Sequence, residues 1–154
     1  MTVLMPQTLT RSSFALFGQV IFPEEDGAPF GPDDAQLNLS AGVPRFYAMR
    51  LAHRGRSFSH ITRHERVTQC LGSMMGEAWL LAVAPPGASH PAPDPAALAA
   101  FAIPGGCFVK LHAGTWHAGP YFDAATMAFF NLELADTNIV DHQSVDLGRS
   151  FVFG

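Results

Sequence analysis

Five short stretches of this chain, Arg45 to Leu51, Ser57 to Arg63, Glu77 to Ala84, Gly106 to Leu111 and Thr126 to Leu134, show aromatic or aliphatic alternation, with glycine, proline or polar turns between them. A period of two sends successive side chains to opposite faces of a pleated strand, so each stretch carries one apolar face that must be covered. Strands of this length and spacing cover one another as an antiparallel barrel or sandwich. With 154 residues, 48% of them hydrophobic and 14% charged, the chain can fill one substantial core but not two, so a single domain over residues 1–154 is expected.

The connecting segments are read in the same way. Thr10 to Phe17, closed by Gly18, predicts a short helix with a threonine cap and a glycine stop. A strand is expected from Gln19 to Phe22, followed by an exposed loop, Pro23 to Asp34, rich in Pro, Gly, Asp and Glu. A second loop spans Pro85 to Pro95, and Asp94-Pro95 followed by Ala and Leu predicts a short surface helix. Trp79, Phe129 and Phe130 are expected in the core. Cys70 and Cys107 lack CxxC spacing and read as buried reduced thiols.

The net charge is −4 and only one of nine basic residues is lysine, so no basic surface for nucleic acid is expected. The first residues lack a basic segment followed by a sustained apolar run, and no apolar run approaches the roughly eighteen residues of a membrane span. A cytoplasmic protein without membrane contact is the expectation.

Two histidine spacings carry the chemistry. Gly106-x5-His112-Ala113-Gly114-Thr115-Trp116-His117 keeps the spacing of the second cupin motif, with His112 where proline is usual. Thr62-Arg63-His64-x4-Gln69-x6-Gly76 keeps the spacing of the first, with threonine and glutamine where histidine and glutamate are usual. The resemblance implies a mainly β, cupin-like double-stranded β-helix barrel with short peripheral helices. Residues two apart on a strand share a face, so His64, Gln69, His112 and His117 are expected to converge on one cavity. His64, Gln69 and His117 could hold one weakly bound divalent ion; no organic cofactor is expected. His60 shares parity with Thr62 and His64 and is a further catalytic candidate, at the inner face or the rim. Arg45, in a strand after a turn, could pair with a substrate carboxylate or face solvent.

The resemblance extends further. Phe14-Ala-Leu-Phe17-Gly18-Gln-Val20-Ile21, Asn38 to Gly42 followed by Arg45-Phe46, Thr62 to Cys70, Leu80 to Pro86, and His112-x3-Trp116-His117 resemble five segments of the ureidoglycolate lyases of allantoin degradation. That resemblance implies release of glyoxylate and urea from ureidoglycolate, in a homodimer. It implies His64, His117, His112 and His60 as catalytic groups, with two histidines sharing the base and acid roles. Arg45, Asn38 and Gln69 would bind a small carboxylate substrate. Glu133 and Asp136 stand where the family carries an acidic residue and would act in support; His53, His90 and His142 have no matched partners and receive no role. Thr62 replaces a family glutamate, which keeps two other readings open: a cupin that binds a small keto or hydroxy acid without turning it over, and another cupin enzyme such as an isomerase.

Overall fold

The computed structural model describes residues 1–87 and 92–154. Its strands are β1 (Thr2–Leu4), β2 (Pro6–Thr8), β3 (Gly18–Ile21), β4 (Pro44–Ala52), β5 (Ser57–Arg63), β6 (Gln69–Ser73), β7 (Trp79–Ala84), β8 (Ala99–Ile103), β9 (Phe108–Leu111), β10 (Trp116–Tyr121), β11 (Thr126–Leu134) and β12 (Gln143–Phe153). Two short helices, α1 (Arg11–Phe14) and α2 (Thr137–Val140), lie between them. The larger sheet runs β1-β12-β5-β10-β7-β8-β2 and the smaller β3-β9-β6-β11-β4. The expected mainly β, barrel-like architecture of cupin type is therefore present, and no helix among the described residues is long and apolar enough to cross a membrane.

The core sits between the sheets. β7 contributes Trp79, Leu81 and Val83, and β11 contributes Met127 and Phe129 from the facing sheet. Trp79 and Phe129 meet edge to face with ring centroids 5.3 Å apart. β7 is buried on its other face too, where Ala82 and Ala84 pack with Trp116 and Ala118, which explains its nearly continuous apolar sequence. Phe130, expected in the core, has the opposite parity to Phe129. It packs outside the smaller sheet between Phe46 and Phe108, only partly buried.

The helix expected over Thr10 to Phe17 is shorter. Thr10 caps it as a reciprocal box, accepting from Ser13 N at 3.0 Å while its own N–H donates to Ser13 Oγ at 2.9 Å. Gly18 does not close the helix but opens β3, where a Cβ would lie 1.8 Å from the carbonyl oxygen of Lys110 on the neighbouring strand. The surface helix expected after Asp94 is a single 3-10 turn over Pro95–Ala97, and the alanines that follow form β8 instead. Pairing with β7 and β2 outweighs their helix propensity. The loop expected over Pro85 to Pro95 lies in part outside the described residues, as does His90. Cys70 and Cys107 are buried free thiols, as expected, and burial pushes the Cys70 thiol up to about 12.

The backbone contact at Gly18 generates a test. Gly18→Ala forces apart two paired strands and should destabilise the protein by about 1–3 kcal/mol, the usual range for overpacking. The midpoint of urea unfolding reads this; an unchanged midpoint would show that β3 and β9 can separate freely.

Candidate active site

Strand parity builds the site. His60, Thr62 and His64 alternate along and just beyond β5, and His117 of β10 pairs with Thr62 on one side and with Val83 on the other. Val83 belongs to the core, so His117 and its neighbours look into the barrel. The imidazoles of His64 and His117 are both buried, with centroids 5.2 Å apart; His142, at the approach to β12, lies 5.5 Å from His64. They line an open cavity of about 510 Å³ together with His60, Thr62 and Tyr121. Arg54 is the cation in its wall, with its guanidinium 4.5 Å from the Tyr121 ring centre and Nη2 donating to the Pro120 carbonyl at 3.2 Å.

Hydrogen bonds assign the tautomers. His64 Nδ1 lies 2.7 Å from the Asp141 carbonyl oxygen, which can only accept, so Nδ1 carries the proton and Nε2 keeps a lone pair. His117 Nδ1 faces the Thr115 carbonyl at 3.3 Å and is assigned in the same way. The Asp141 carboxylate accepts from Glu65 N and Arg66 N, each at 2.8 Å, pinning the turn that carries His64. Burial lowers the His64 pKa, while the hydrogen bond to Asp141 and the charges of Glu133 and Asp141 oppose that fall. Burial, reinforced by His64, pushes His117 down to about 3. Both rings are therefore held toward the neutral form, and His117 more firmly.

The smaller sheet supplies further inward polar groups. Gln69 alternates with the core residue Leu71, and its Nε2 donates to Asn131 Oδ1 at 3.0 Å. Its Oε1 has no hydrogen-bond partner among the described residues. Glu133, nearly fully buried, accepts from the Tyr47 hydroxyl at 3.1 Å.

Four of the residues expected here do not line the cavity, and Gln69, buried on the smaller sheet, is the first of them. His112 continues the outward parity of Lys110, hydrogen-bonds to its Nζ at 3.1 Å and to the Ala15 carbonyl at 3.0 Å, and does not join the cavity of His64 and His117. Arg45 is exposed and stacks 3.7 Å from the centre of the Tyr47 ring, outside the cavity wall. The Asn38 side chain is spent on a local turn, accepting from Ser40 N at 3.2 Å and Ser40 Oγ at 2.8 Å. His60 does line the cavity, at its exposed rim beside Ser59. Sequence reasoning missed Arg54 and His142, which sit in loops with no periodic signal. It also missed Asp141, whose role depends on a fold-back from α2.

Of the ligands expected for a divalent ion, His64 and His117 face each other in the cavity, while Gln69 does not line it. Among the described residues no three His, Cys, Asp or Glu side chains gather to complete a ligand set, so the residues do not fit a tightly held ion.

A buried imidazole pair opening onto a cavity of a mainly β barrel makes this the candidate site. Residues 32–147 match the sequence pattern of the family described as ureidoglycolate lyase, and the chain belongs to that family. No curated protein matches the chain.

Two outcomes are expected. Because the folded-state pKa of His117 lies below its unfolded value near 6.5, the unfolded chain binds the extra proton between about pH 6.5 and 3. Stability therefore falls as pH falls through that window, and His64 adds to the fall. His117→Gln, which cannot titrate, should flatten the melting-temperature profile between pH 7 and 4.5; a parallel profile would place the titration in other groups. Chelator treatment should leave the melting temperature unchanged, since the core stands without a metal, whereas a fall of several degrees would reveal a structural ion.

Proposed function

We propose that this protein is a carbon–nitrogen lyase that releases glyoxylate and urea from ureidoglycolate. The single observation that carries this reading is the facing pair of neutral imidazoles, His64 and His117, at the inner end of a cavity whose wall holds a cation. Family membership supplies the class of reaction.

Ureidoglycolate is a carbinolamine, so its cleavage needs a proton taken from the hydroxyl and a proton given to the departing nitrogen. His64 Nε2 takes the hydroxyl proton. The oxygen electrons form the carbonyl of glyoxylate, the carbon–nitrogen bond breaks toward nitrogen, and the same proton passes from His64 to urea. The charges of Glu133 and Asp141 favour the transient imidazolium. His117 remains neutral beside it, because two imidazolium ions at this separation would repel, and its Nε2 accepts a hydrogen bond from the substrate. Arg54 pairs with the substrate carboxylate, the role expected from sequence for Arg45.

One observation favours a second reading. Among the described residues no carboxylate lines the cavity, and Thr62 stands on the wall where the resemblance implies glutamate. A protein that binds a small keto or hydroxy acid without cleaving it would need nothing more than Arg54 and the histidines.

A coupled assay of glyoxylate release separates the two. The lyase reading expects activity in the wild type, a loss of about a hundredfold or more in kcat for His64→Ala, and near-wild-type activity for Arg45→Ala. For Arg54→Ala it expects a raised KM. If the wild type binds glyoxylate but releases none, and only Thr62→Glu becomes active, the binding-protein reading replaces it.

A further inference from the structure

Two connections that cross between the sheets are tied to each other beside the cavity. Residues 53–56 lead from β4 of the smaller sheet to β5 of the larger, turning at Gly55 with φ of +80°, and residues 122–125 lead from β10 back to β11. The His53 main-chain N–H donates to the Ala125 carbonyl at 2.9 Å. His53 Nδ1 lies 2.7 Å from the Phe122 carbonyl oxygen, which can only accept, so Nδ1 carries the proton. Arg56 closes the other side of the turn on Asp123, Nε donating to Oδ1 at 2.9 Å and Nη2 to Oδ2 at 2.6 Å.

Arg54 sits between these ties and is the residue of the turn that reaches the cavity. Its guanidinium lies over the Tyr121 ring and donates to the Pro120 carbonyl, so it is referred to the end of β10 as well as to its own turn. A free arginine side chain has many rotamers, and a carboxylate that had to order it would bind more weakly for that reason. Holding the guanidinium in place beforehand requires the turn and the end of β10 to keep a fixed separation, which the His53 and Arg56 contacts supply. Stability alone does not account for the Arg56–Asp123 pair, because its side chains are 42% and 70% exposed and exposed pairs contribute little. The pair is nonetheless bidentate, and hydrogen bonding to the Arg56 guanidinium holds the Asp123 carboxyl below the ordinary carboxylate range.

We infer that Asp123, acting through Arg56, is a positioning residue for Arg54, so that the substrate carboxylate meets a guanidinium already in place; this rests on Arg54 as the carboxylate partner, its role in both the lyase and the binding reading. Asp123 and Arg56 do not line the cavity, so neither touches the substrate, and His53 closes the same turn from its other end. Direct electrostatics and positioning predict opposite signs at Asp123. A negative charge near an anion site repels the anion, so its removal by itself tightens binding, whereas loss of the strap lets the guanidinium drift and weakens it.

Calorimetric titration of the whole chain with glyoxylate tests this. Arg54→Ala should weaken binding about ten- to a hundredfold, the range for hydrogen bonds to a charged group. Asp123→Asn should weaken it about three- to tenfold, the range for ordering one long side chain on binding, while the melting temperature falls by no more than about 2–4 °C. Asp123→Glu, which keeps the carboxylate, should restore most of the affinity. In an Arg54→Ala or Arg56→Met background, Asp123→Asn should no longer weaken binding, because the residue it positions or the residue it acts through has gone. Tighter or unchanged binding in Asp123→Asn, or a loss that persists in either background, would overturn the strap while Arg54 keeps its role. Equal affinity in wild type and Arg54→Ala, or no binding of glyoxylate by wild type, would overturn both.

Discussion

The hydrogen bond from His64 Nδ1 to the carbonyl of Asp141, at 2.7 Å, is the contact through which the fold sets the chemistry. Asp141 is buried at the end of α2 and works through three oxygens. Its carbonyl fixes the His64 ring and tautomer, and its two carboxylate oxygens satisfy the main-chain N–H groups of Glu65 and Arg66 where the chain leaves β5. Without that carboxylate two inward donors lose their partners, and the turn that aims His64 loses its hold. A residue far along the chain thus decides which nitrogen of His64 is basic.

Burial then sets the strength of that base. Two imidazoles with centroids 5.2 Å apart in a low-dielectric interior can share one positive charge but not hold two. Their environments are unequal: His64 feels Glu133 and Asp141, whereas nothing comparable compensates His117 except the weak contact to Thr115. The proton therefore belongs to His64 when it is present at all. This asymmetry converts a symmetrical-looking pair into one base and one fixed hydrogen-bonding partner.

How much of this could be read in advance depended on whether a residue's role followed from strand parity. His60, His64 and His117 obey a period of two, and the register of β5 with β10 places them as that period requires. The same rule, applied to Lys110, would have turned His112 outward; the motif spacing crosses Gly114, a turn with φ of +85°, and parity does not survive such a turn. β11 held an overlooked signal, because Met127, Phe129, Asn131 and Glu133 share the inner face and the last two are polar where the others are core. Arg54, Asp141 and His142 lie in connections, and only three-dimensional closure brings them to the cavity. Asn38 and Arg45 show the converse: a matching segment marks shared ancestry, while the side chains serve a turn and a ring stack. Strands such as β8 and β12 went unread because their alternation is weak and neighbours impose it.

The unequal protonation of the two histidines is the centre of this account, and nitrogen-detected NMR of the imidazoles reads it directly. Titration of the labelled wild type from pH 8 to 4 should show His117 in one neutral tautomer throughout, protonated on Nδ1, while His64 takes up its proton below the ordinary histidine value near 6.5. In His142→Gln the His64 midpoint should move up, since one source of repulsion has gone. If His117 instead titrates near 6.5, or takes up its proton before His64, the assignment of base and partner fails.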